Sequence, residues 1–154
     1  VKQAHAQISV LFILRIAILL QMDEIYVNRE IREMLIELAV QNRTTTYSRL
    51  NTDSNAGYNY RDAEDRDSFT EDIEAISMSE VRNGRPPLGC MVVFKSGSVT
   101  KPILESLFTM CQEFYDLSPE TTKLNSKFLK DLQAKCHEYW TISDNYQELG
   151  PRKM

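Results

Sequence analysis

The 154-residue chain is 42% hydrophobic and 26% charged, with five glycines and five prolines. These proportions exclude a wholly disordered chain, a collagen-like fibre and a multispanning membrane protein, and the length suits one domain better than two. Eighteen Lys and Arg against 22 Asp and Glu leave a net charge of −4, which runs against a dedicated nucleic-acid binder unless a local basic patch exists.

In chain order, residues 8–20 (ISVLFILRIAILL) come first and are apolar on every side except Ser9 and Arg15. The run falls short of the roughly twenty residues a bilayer span needs. No small-x-small cleavage site follows it. Three readings stay open: a buried or partner-covered helix, a membrane-associating segment, or sequence upstream of a native start at Met22. The spacing of Ile31, Met34, Leu35 and Leu38 predicts an amphipathic helix over 29–41, with Asn28 as N-cap. Thr44 to Tyr47 suits a short strand or extended entry, and Tyr47-Ser-Arg-Leu50 opens a short helix. Residues 51–68 form a polar insert. Its acidic part breaks the calcium-loop pattern at Glu64 and Arg66.

Helical period returns over 69–82, with Ser68 as expected cap, Glu71 completing a capping box, and Phe69, Ile73, Ile76 and Met78 or Val81 facing inward. Asn83-Gly84 ends that helix with Gly84 in the left-handed position. Pro86 and Pro87 then force extended backbone, and Leu88 to Phe94 (LGCMVVF) reads as a buried strand. Lys95 to Ser98 is a turn. Leu104, Leu107, Phe108, Cys111 and Tyr115 mark a helix over 102–115. Ser118 and Pro119 open a last helix whose inward stripe is Leu124, Phe128, Leu132, Cys136 and Tyr139. From Thr141 on, the chain reads as a loose polar tail. The divisions are therefore an apolar segment 1–21, one globular domain 22–141 carrying the insert 51–68, and a polar tail 142–154. The expected fold is mainly α with a small β element (α+β), a winged-helix-like core followed by two further helices.

Three cysteines, Cys90, Cys111 and Cys136, are too few and too far apart for a disulfide framework, and fit core filling in a reducing, cytoplasmic setting. His5 and His137 are the two histidines, and no set of residues has metal-ligand spacing. Cys136 and His137 are neighbours that project about 100° apart on a helix, a poor nucleophile–base pair. No cofactor-binding or catalytic residues stand out.

Thr46-Tyr-Ser-Arg-Leu, the helix Phe69 to Val81, and Gly84-Arg-Pro-Pro-Leu-Gly-Cys-Met-Val-Val-Phe-Lys95 together resemble a family of uncharacterised bacterial domains with the progression "TYseLA … GRPpL…VV-K". The resemblance spans about residues 29–141, and Gly84 to Lys95 is its most specific part. It implies a winged-helix-like fold in a bacterial setting, at times near phage-defence modules or mobile elements. The insert 51–68 departs from the pattern. It would sit at the turn of a helix-turn-helix, where major-groove docking needs a tight connection.

Tyr47, Arg49, Arg82, Arg85 and Lys95 are the candidate partner- or nucleic-acid-binding residues. Arg85 stands out, fixed between Gly84 and two prolines, where a guanidinium either grips a carboxylate or phosphate or pairs with Glu80 or a helix C-terminus and orients the turn. The expected function is a non-enzymatic protein-interaction module that meets a protein partner or its own copy through apolar surface. The alternative is DNA binding by a winged-helix-like core. Membrane contact enters only if residues 8–20 are native and exposed.

Overall fold

The computed structural model of the chain describes residues 27–112, 115 and 117–151. The apolar stretch 8–20 and Met22 lie outside the described residues. The fold is mainly helical, with α1 Arg29–Val40, α2 Tyr47–Asp53, α3 Ala63–Arg82, a 3-10 turn Leu88–Met91, α4 Lys101–Cys111, α5 Ser126–Thr141 and α6 Ser143–Leu149.

Helix α1 starts where the sequence places it, the Asn28 side chain accepting from the Ile31 N–H at 3.1 Å. It is buried more widely than one stripe. Ile31, Leu35, Ile36 and Ala39 are fully covered while Met34 and Leu38 are half-buried, because α1 packs against α2, α3, α5 and the 3-10 turn. Thr46 caps α2. The polar insert is ordered by its own side chains: the Asn51 carboxamide donates to the Tyr58 carbonyl at 2.7 Å and accepts from the Tyr58 N–H at 3.1 Å.

Helix α3 begins six residues before the expected start. Asp62, not Ser68, is its cap, accepting from the Glu64 N–H at 2.8 Å, and Glu64 and Asp65 oppose the helix dipole in the first turn. Its other end follows expectation. Gly84 has φ +72°, its N–H bonds the Val81 carbonyl at 3.0 Å, and the Arg85 N–H bonds the Glu80 carbonyl at 2.9 Å, a Schellman motif.

The predicted strand Leu88 to Phe94 is corrected. Leu88–Met91 is a 3-10 turn, and Val92 makes one isolated parallel bridge with Thr45. The physical reason is local. The Gly89 N–H is taken by the Ser77 hydroxyl, the Cys90 N–H by the Pro87 carbonyl and the Val92 N–H by the Gly89 carbonyl, so few donors remain for a ladder. Among the described residues there is no strand and no sheet for a wing; the small β element reduces to that bridge. Burial is as read, since Leu88 to Val93 are all covered, but Phe94 is exposed.

Two later boundaries also move. Asn125 caps α5, accepting from the Lys127 and Phe128 N–H groups, while Ser118 heads a separate turn. The polar tail contains α6, which buries no residue yet is fastened by polar contacts: the Tyr146 hydroxyl donates to Glu37, the Asn145 amide to the Tyr139 carbonyl at 2.9 Å, and Arg32 Nη1 to the Leu149 carbonyl at 3.0 Å. One core runs through the described helices, with Trp140, Phe69, Leu35 and Leu88 among its fully buried members. Cys90, Cys111 and Cys136 are free thiols inside it, as expected, with the Cys90 and Cys136 sulfurs 3.5 Å apart.

Candidate binding sites

Along α3 the inward positions run Phe69, Ile73, Ile76 and then Glu80, a carboxylate on an apolar stripe. Glu80 is fully buried, and its oxygens are each met by a guanidinium: Arg32 Nε on Oε1 and Arg85 Nε on Oε2, both at 2.5 Å. A carboxylate removed from water needs such partners, because an uncompensated buried charge costs several kcal/mol. Arg32 is held further by the Leu149 carbonyl and lies over the Trp140 ring, 5.6 Å from its centroid. The cluster ties α1, α3, α6 and the turn after α3 together. Arg85 thus takes the pairing with Glu80 that the sequence offered as one of its two roles. The burial of Glu80 and the part of Arg32 escaped sequence reasoning; the readable signal was a Glu in register with three apolar residues.

Beside this cluster is a cleft of about 310 Å³. Arg29, Arg32 and Glu33 line it from α1, Ser79 and Arg85 from the α3 end, and Glu148 from α6. Arg29 and Glu33 pair with each other at 2.9 Å.

The five sequence-chosen residues do not share this cleft. Tyr47 is in the core, its ring edge-on to Phe69 at 6.4 Å and tilted against Phe94 at 6.0 Å, and burial raises its pKa to about 12. Arg49 is exposed and pairs with Asp53 one turn on, at 3.3 Å. Lys95 lies exposed in the turn before α4, and Arg82 is exposed at the last turn of α3. Of the five, Arg85 alone lines the arginine cleft; Arg49 lines a separate hollow beside α1, and Tyr47 a pit near α4. His137 Nδ1 meets the Ala39 carbonyl at 2.8 Å, away from any role with Cys136.

A second concavity was not foreseen. Helices α3 and α4 flank an open groove of about 520 Å³. Helix α3 offers it Glu71, Glu74, Ala75 and Met78; α4 offers Ser106, Thr109 and Met110. A small pit of about 30 Å³ shares Glu74, Ser106 and Met110 with the groove and is lined by Ile73, Ile103, Leu107 and Gly89 as well. The α3 positions 71, 74, 75, 78 and the α4 positions 103, 106, 107, 110 each follow i, i+3, i+4, i+7, one face per helix.

Among the described residues no group of three or more His, Cys, Asp or Glu is placed to hold a metal ion, and no helix is long and apolar enough to cross a membrane. Compared with protein families, curated proteins and solved structures, the chain matches none.

Proposed function

We propose that this chain is a non-enzymatic interaction module that receives an amphipathic, basic helix of a protein partner in the groove between α3 and α4. The observation that carries the reading is an unfilled trough lined by Glu71, Glu74, Ala75 and Met78 of α3 and by Ser106, Thr109 and Met110 of α4, with Ile103 and Leu107 in the adjoining pit. Two helices flanking a trough fit a third laid between them, as in helix-in-groove recognition. The pit of about 30 Å³ admits the methyl tip of an aliphatic side chain, and Met78 and Met110 adapt to the neighbouring side chains. Glu71 and Glu74 are the carboxylates lining the trough and pit, so Lys or Arg beside the apolar stripe completes the match.

The test uses the whole chain and a synthetic Leu/Lys amphipathic helix. Amide shifts on titration are expected at Ala75, Met78, Ser106 and Met110, with binding weakened about tenfold by Glu74→Lys. Shifts spread over the surface, or equal binding by the Glu74→Lys chain, overturn the reading. Concentration-dependent light scattering that Glu74→Lys leaves untouched favours self-association instead. The nucleic-acid alternative draws on Arg49, Arg82, Arg85 and Lys95, without a sheet among the described residues to form a wing; steeply salt-dependent duplex binding is its requirement.

A further inference from the structure

The arginine cleft has a charge arrangement that the groove does not explain. Its floor is the Arg32–Glu80–Arg85 cluster, two guanidinium groups on one carboxylate, formally +1. Arg85 spends Nε on Glu80, and no hydrogen bond to its two Nη groups is found among the described residues. Arg32 spends Nε on Glu80 and Nη1 on Leu149. The cluster is pre-organised, since a buried carboxylate fixes both forks and the Schellman turn fixes the backbone of Arg85. The cleft wall carries the opposite sign. Glu33 is already matched by Arg29, while Glu148 adds a carboxylate to the lining, formally −1.

A dianion would face Glu148 and Glu33. A cation would face two guanidiniums. A ligand with both signs is repelled by neither, and a 310 Å³ cleft lies at the small end of the range for ligand sites. We infer that the cleft binds a small zwitterion of the free amino-acid class, its carboxylate on the open Nη donors of Arg85 and Arg32 and its ammonium toward Glu148. The guanidinium fork suits a planar carboxylate in bidentate fashion. This site is separate from the α3–α4 groove and stands or falls without it.

The probes are free L-amino acids at millimolar concentration, with acetate, ethylamine and inorganic phosphate as partial ligands, read by calorimetry and thermal shift on the whole chain. At least one amino acid is expected to bind about tenfold or more tightly than acetate or ethylamine. Glu148→Gln, on an exposed helix end, is expected to weaken the amino acid several-fold without weakening acetate. Arg85→Lys keeps the charge beside Glu80 but loses the fork, and is expected to weaken both. No binding by any amino acid, tighter binding of phosphate than of every amino acid, or indifference of the bound amino acid to Glu148→Gln overturns the inference.

Discussion

Gly89 lies directly beneath Ser77: its N–H donates to the Ser77 hydroxyl at 2.7 Å, and a Cβ built on Gly89 would stand 2.4 Å from that same oxygen and 3.2 Å from the Ile73 methyl. Close packing of the 3-10 turn on α3 therefore requires the missing side chain rather than an unusual backbone angle. Gly89→Ala pushes the hydroxyl away and strands a buried amide, a loss of about 1–3 kcal/mol. Ser77→Ala removes the acceptor but also the obstacle, so the double variant is expected to be more stable than the sum of the two losses predicts. Urea unfolding of the four chains in the cycle measures it; strict additivity contradicts the contact.

Glu80 is the fully buried counter-ion of two guanidiniums. Glu80→Gln leaves Arg32 and Arg85 facing each other, and about 3–5 kcal/mol of stability is expected to go with it. Replacing all three by Met or Leu of similar bulk should cost much less than the single change, since no charge is then stranded. Denaturant midpoints decide: a Glu80→Gln chain as stable as its parent refutes the geometry.

Burial sets an alkaline limit. Tyr47 has its pKa moved from 10 to about 12, with burial the largest cause and the Tyr60 and Glu74 charges adding to it. The folded chain holds that phenolic proton more tightly than the unfolded chain does. Its contribution is therefore complete below pH 10 and is lost as pH climbs from 10 to about 12. Two units correspond to about 2.7 kcal/mol. Tyr58, bonded to Asp72 at 2.5 Å, and Tyr115, raised by burial, move to about 12 as well and fail over the same window. Tyr47→Phe should lose about 2 kcal/mol less than the parent across that window. Identical pH profiles for the two chains would sink the assignment.

The thiols give a probe that leaves the sequence intact. Cys90, Cys111 and Cys136 are all buried, and burial pushes Cys111 up to about 12 and Cys136 well above its ordinary value. Thiolate is the reactive form, so a neutral disulfide reagent should find no fast-reacting group in the folded chain and three in denaturant. A thiol that reacts at the rate of free cysteine in the native chain contradicts the burial of the helix that carries it.

What the sequence discloses here is periodicity, and what it conceals is competition between local partners. Ile31 and Leu35, Phe69 to Ile76, Leu104 and Leu107, and Phe128 to Cys136 are in the core, because a 3.6-residue apolar repeat has one way to hide. LGCMVVF was legible as buried but not as a turn, since an apolar run lacks a period and its donors were claimed by Ser77 and by its own carbonyls. Helix α6 was illegible for the opposite reason: it is held by Tyr146, Asn145 and Arg32 rather than by an apolar face. The sites divide in the same way. Arg85 announced itself through its rigid neighbours, whereas Tyr47 was taken for surface when its aromatic contacts put it inside, and the groove required knowing which two helices lie side by side.

The shifted helix starts supply the last test. Ser68 and Ser118 have the right side chain at a credible place, yet Asp62 and Asn125 hold the caps. Ser68 sits past the first turn of α3, where the backbone N–H groups already bond along the helix. Asp62 also carries a negative charge at the positive end of the dipole, an advantage a serine lacks. Asp62→Ala and Asn125→Ala should each cost about 1 kcal/mol, and Ser68→Ala only a few tenths. Thermal melts of these chains read the order directly. The ranking inverts if α3 starts at Phe69, because Ser68→Ala would then be the damaging change and Asp62→Ala the silent one.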